Sequence, residues 1–155
     1  MKKRNCVIVN LVLLIWFSLD MIGVYVGENY LVTQSYKEDG IFYICFLIAL
    51  LLFVLKDNIG KYILSIWLFI WFIAQFLNHE WFTIFGNGEA KIRYFNNSIH
   101  WFDSSTRYIP DVYHTILHLL LVMACVVTIR YCLSKKDQKR KKLMKNLNEK
   151  IKRKK

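Results

Sequence analysis

Apolar residues fall in four blocks along the chain, each continuous rather than spaced at an amphipathic period. They run from about Cys6 to Val26, Ile41 to Leu55, Tyr62 to Glu80 (with a polar end, Asn78-His79-Glu80) and Pro110 to Cys132. A hydrocarbon core ~30 Å thick takes about 20 helical residues, so the pattern predicts four transmembrane helices, the second somewhat short. Lys56-Asp57-Asn58-Ile59-Gly60-Lys61 joins the second and third blocks and leaves room only for an antiparallel helix pair. The expected fold class is an all-α integral membrane protein, a four-transmembrane-helix bundle over residues 1–134, followed by a tail over 135–155.

The polar interruptions matter as much as the blocks. Residues 81–109 form a long loop between the third and fourth helices, and long loops in compact proteins tend to be functional. Within it, Asn87-Gly88 lies between Phe82-Thr83-Ile84-Phe85 and Lys91-Ile92-Arg93-Tyr94-Phe95, which predicts a β-hairpin. Trp81, Tyr94, Phe95, Trp101, Phe102 and Tyr108 suit the headgroup region of a bilayer, so the loop is expected to lie on the membrane as a lid. In the first block, Gly23 and Gly27 make a small-xxx-small pair through which another helix, including one from a second copy of the chain, could approach. Met1-Lys2-Lys3-Arg4 before that block imitates a signal peptide. No small-x-small cleavage site follows and Asp20 interrupts the apolar run, so an uncleaved first span is expected.

Charge fixes the expected orientation. The net charge is +11, but Lys135 to Lys155 holds twelve Lys/Arg against Asp137 and Glu149, so this tail accounts for +10 and the other 134 residues for +1. A basic segment directly after a spanning helix fits anionic inner-leaflet lipid better than nucleic acid, and no nucleic-acid partner is expected. Lys2, Lys3 and Arg4, then Lys56 and Lys61, then the tail all fall on one side. The positive-inside rule therefore puts both termini in the cytoplasm and loop 81–109 outside. In the tail, Leu143, Leu147 and Ile151, with Met144 beside them, are spaced for an amphipathic helix lying on the membrane surface. The cysteines, Cys6, Cys45, Cys125 and Cys132, form no Cys-x-x-Cys pair and read as small buried apolar residues. The Lys/Ile/Asn-rich composition points to a bacterial chain, where the sequon Asn96-Asn97-Ser98 carries little meaning.

With that orientation, ionisable residues collect at one depth. Asp111, His114 and His118 stand at i, i+3 and i+7 and share a helical face. At ~1.5 Å per residue, His114 is roughly 6 Å and His118 roughly 12 Å below Pro110, and Asp20 is roughly 9 Å below the outer end of its span. Gln75 and His79 are four apart near the outer end of the third span; Glu80 caps the layer and Glu28 could reach it. Ionisable groups inside a spanning helix are costly and point by default to a pocket or pathway.

Three chemistries fit the layer. His79, His114 and His118 could hold zinc or another divalent transition metal, with Asp20 or Asp111 as fourth ligand or orienter and Glu80 or Asp111 as general base. The same groups could form a metal-free acid–base, proton-relay or ligand site. They could also be polar bonds that hold the bundle together. An intramembrane Asp20, with Ser18 nearby, a helix-end His79 and the His-x-x-x-His of His114 and His118 resemble the layout of membrane zinc hydrolases of the ceramidase and adiponectin-receptor kind. The resemblance is one of chemistry: those proteins have seven spans, and their wider motifs are missing here. The leading expectation is a small metal-dependent membrane hydrolase acting on a lipid or cell-envelope substrate, with Glu80, Asp111 and Asp20 as catalytic groups. The alternative is a non-enzymatic membrane protein (immunity, sensor or transport accessory) whose pocket binds a ligand or a proton.

Overall fold

A computed structural model of the chain describes residues 2–102 and 104–152. It contains α1 (Lys3–Ile22), a hairpin of β1 (Val24–Val26) and β2 (Asn29–Val32), α2 (Tyr36–Leu55) and α3 (Asp57–Gln75). A π-helical turn over Phe76–Glu80 then leads without a break into α4 (Trp81–Phe85), followed by α5 (Glu89–Tyr94) and α6 (Val112–Lys152). Four helical segments are long and apolar enough to cross a membrane: Lys3–Ile22, Tyr36–Leu55, Asp57–Phe85 and Val112–Lys136.

The helices pack in the ring α1–α2–α3–α6, each neighbour antiparallel to the next. One narrow stripe of each faces inward. On α1 it is Cys6, Asn10, Leu13, Phe17 and Asp20, spaced three and four apart. Trp71 of α3 fills the centre, its ring 4.6 Å from Phe17 and 5.4 Å from Phe46. The outward faces are just as apolar, with Ile15, Ile48, Ile66, Phe69, Leu119 and Val126 exposed. A helix that is apolar all round has to be covered on both sides, by protein within and lipid without. This explains why the blocks show no amphipathic period.

Polar side chains tie the helices together at the end away from loop 81–109. Asn10 donates to Thr128 Oγ1 (3.1 Å) and to the Cys6 carbonyl (2.9 Å), and Tyr131 donates to Asp57 Oδ1 (2.7 Å). Lys3 lies 3.8 Å from the same Asp57 oxygen, so α1, α3 and α6 are tied together there. Lys56 alone separates α2 from α3. Gly60 lies so close to α2 that a Cβ on it would overlap the Leu52 carbonyl and the Phe53 Cα.

Several expectations are corrected. The Asn87-Gly88 turn exists, with φ of 69° and 94°, but it joins two short helices and not two strands. Glu89-Ala90-Lys91-Ile92-Arg93 is rich in good helix formers, and the third helix continues through Phe85. The real hairpin is at 24–32, where positive φ at Gly27 and not at Glu28 suits a two-residue turn led by glycine. α1 therefore stops at Ile22, and Gly23 and Gly27 lie outside any helix, so they make no helix-packing stripe. The second helix starts earlier than expected, at Tyr36. The tail is helical, but as a direct continuation of the last span through Lys152. Leu143 and Met144 are exposed there; the side chains of Leu147 and Ile151 lie outside the described residues.

Candidate functional site

The site begins with the π-helical turn. Bonded i→i+5, with Trp81 N–H on the Phe76 carbonyl, it inserts one extra residue per turn. In a regular α-helix Glu80 would point about 140° away from Gln75; here both reach the same ring on α6. His118 Nδ1 is 2.5 Å from Glu80 Oε1, and its Nε2 is 3.2 Å from Gln75 Oε1. His79, on the same turn, is buried, and its Nδ1 is 2.7 Å from the Tyr108 hydroxyl. Burial, then the charges of Asp111 and Glu80, push the Tyr108 phenol far above its usual range, so it stays protonated as a hydrogen-bond donor.

Asp111 closes the N-terminus of α6. Its Oδ1 accepts the His114 backbone N–H at 2.8 Å, the geometry of an N-cap, and also meets His114 Nδ1 at 2.8 Å. Burial alone would raise this carboxyl, but the His114 hydrogen bond and charge outweigh it and hold Asp111 below the usual range. With Nδ1 so engaged, Nε2 is left as the reactive nitrogen of His114. The three rings cluster: His79 stacks on His114 with centroids 4.3 Å apart and planes 25° from parallel, and His118 stands edge-on to both at 5.4 and 6.4 Å.

Beside the cluster is a cavity of about 250 Å³. Asp20, Gln75, His79, Asp111 and His114 line it, whereas His118 and Glu80 do not. Glu28 does not; it is exposed at the 27–28 turn. Its place is taken by Glu38 and Asp39 from the start of α2, and Asp39 meets Asp20 and Ser35. Ser18 is turned away to the Leu14 carbonyl and Tyr43. The roof is stitched from two loops: Tyr30 N–H bonds the Asn97 carbonyl, Ile99 N–H bonds the Tyr30 carbonyl, and the Tyr30 hydroxyl bonds the Tyr94 carbonyl. Lys91 enters from α5, its ammonium over the rings of Phe82 and Tyr108, and burial lowers its pKa. Asp39, Tyr108 and Lys91 carry no helical spacing that would have singled them out. The nearest signal in the sequence is the density of aromatic and charged residues in the two loops.

Metal coordination needs the in-plane lone pairs of the imidazoles to meet at one point about 2.0–2.1 Å from each nitrogen. The stacked planes of His79 and His114 run side by side instead, and both nitrogens of His118 are occupied. Asp20 is engaged with Asp39 and Ser35. Among the described residues, no three His, Cys, Asp or Glu side chains are arranged to hold a metal ion. The structure thus brings His79, His114 and His118 together without assembling the expected metal set. What the arrangement offers is two carboxylate–imidazole pairs, Asp111–His114 and Glu80–His118, beside an acidic cavity. No protein-family model, curated protein or solved structure matches the chain.

Proposed function

We propose that the chain is a multi-pass membrane protein that binds a small ligand at the outer-leaflet end of its bundle and exchanges a proton with it through His114, without a resident metal. The observation that carries this reading is the Asp111–His114 pair, held by two 2.8 Å bonds to one carboxylate oxygen and bordering a cavity. A buried carboxylate on one imidazole nitrogen fixes the ring and leaves the other nitrogen to meet a ligand. Asp111 positions; His114 takes or gives the proton; the Glu80–His118 pair is a second station next to it. Binding and proton exchange need nothing more.

Membrane insertion places both termini in the cytoplasm, with loop 81–109 and the cavity outside, because the basic residues gather at the other end. A reporter fused after Lys155 is expected to read cytoplasmic and one inserted near Asn87 external; the reverse pattern would move the cavity to the inner leaflet. The chemistry has its own check. Full-length protein purified in detergent is expected to carry far less than one equivalent of any transition metal, even after incubation with zinc and desalting. One equivalent of zinc, lost in the His114→Ala, His118→Ala double variant, would restore the hydrolase reading.

A further inference from the structure

We infer that the cavity accepts a protonated primary amine, an inference that rests on the metal-free binding site proposed above. Charge points to a cation first: Asp20, Glu38, Asp39 and Asp111 line the cavity, against Lys91. Asp20 and Asp39 are in contact with each other, and Asp20 is 5% exposed. Two carboxyl groups this close, one buried and one half-buried, call for a positive charge or a shared proton between them.

An independent observation comes from Tyr113. It is 1% exposed, lines the same cavity, and its hydroxyl has no hydrogen-bond partner. Buried hydroxyls are almost always satisfied, so an unpaired one on a residue that lines a cavity leaves a polar partner to be supplied from that side. The ring is held by stacking on Trp16, centroids 5.6 Å apart, and by the Trp16 N–H on the Tyr113 carbonyl. The hydroxyl is therefore free of any structural duty.

Tyr30, Tyr94 and Phe95 add aromatic wall, which favours a cation further. The acceptors on Asp20, Asp39 and Tyr113 are hydrogen-bonding groups, so they select N–H donors over a quaternary ammonium. A volume of about 250 Å³ is below the usual ~300–1,000 Å³ of drug-sized pockets, so the ligand is small. His114 lies on the same cavity. Lys91 could meet an anionic group on the same molecule, so the ammonium has two sources: a free alkylamine, or the zwitterionic headgroup of an aminoethyl phospholipid.

The test uses full-length protein in detergent, titrated with ethanolamine and with tetramethylammonium, and in nanodiscs of phosphatidylethanolamine or phosphatidylcholine. Ethanolamine is expected to raise Tm and to bind at least about tenfold more tightly than tetramethylammonium. Asp20→Asn removes a charged acceptor and is expected to weaken ethanolamine about tenfold or more. Tyr113→Phe removes a hydroxyl that bonds nothing in the protein, so it should keep the helical circular dichroism and weaken binding severalfold. Stabilisation by phosphatidylethanolamine nanodiscs alone makes the headgroup the source; stabilisation by soluble ethanolamine makes it a free amine. Absence of both in folded, metal-free protein overturns the inference, as does binding that is equal for tetramethylammonium or unchanged in both variants. Stoichiometric zinc would instead overturn the reading beneath it.

Discussion

Asp111→Ala is expected to lower the unfolding free energy in detergent by about 2–4 kcal/mol. One oxygen of this carboxylate does two jobs. It caps α6 through the His114 N–H, a contribution of about 1 kcal/mol, and bonds the His114 ring, a charge-assisted contact of about 1.5–3 kcal/mol. Because Asp111 is 1% exposed, solvent does little to screen either bond. The pH dependence follows from the direction of its shift. Its folded pKa lies below the ordinary value, so its stabilisation is complete above the unfolded pKa of about 3.9 and is lost as pH falls through the folded value. Asp111→Asn keeps a capping oxygen and loses the charge. It should therefore fall between wild type and Ala and lose the part of the acid limb below about pH 4 that Asp111 supplies. A loss under about 0.5 kcal/mol for Asp111→Ala would mean that the pair does not hold the α6 terminus.

Gly60→Ala is expected to be of similar size, about 2–4 kcal/mol, for a steric reason. The methyl would run into the Leu52 carbonyl and the Phe53 Cα, backbone atoms of α2. Overpacking against side chains typically costs about 1–3 kcal/mol because rotamers give way; backbone does not. Lys56 is the whole connection between the two helices, so α2 and α3 cannot slide apart near it without disturbing the turn. Thermal unfolding in detergent, or the yield of folded protein, reads the effect. A wild-type Tm for Gly60→Ala would show that the helices do not pack this closely. A control at Gly40, where nothing lies within 4 Å of an added Cβ, should be close to neutral or slightly stabilising.

The spans were legible in the sequence because lipid demands unbroken apolar blocks, and the antiparallel α2–α3 pair was legible in the short turn around Lys56. The site was legible where periodicity spoke for it. Asp20 lies on the three-four stripe that begins at Cys6, and Asp111, His114 and His118 share one face of α6. Glu80 was placed near the site, but the turn that aims it was not foreseen, since a π-helical turn has no composition of its own and is selected by what α6 presents. The hairpin was expected at the wrong glycine. Val24-Tyr25-Val26 and Asn29-Tyr30-Leu31-Val32 are the better strands, rich in β-branched and aromatic residues, yet the first was read as the end of the first span and the second fell in the segment between the first two spans. Asp39 was missed for the matching reason: Glu38 and Asp39 looked like loop charges, although they form the first turn of α2, where acidic side chains suit the helix N-terminus.

The last helix deserves to be considered as a mechanical part. It runs 41 residues from Val112 to Lys152, about 60 Å at 1.5 Å per residue, with no glycine or proline in it. One end is capped by Asp111 beside the cavity; the other carries the basic tail. A helix without a hinge passes on rotation and axial travel and absorbs little of either. A fraction of an ångström of piston movement at His114 therefore arrives at the basic segment as the same fraction of an ångström. The cavity and the basic segment are thus joined by one helix that has no break between them.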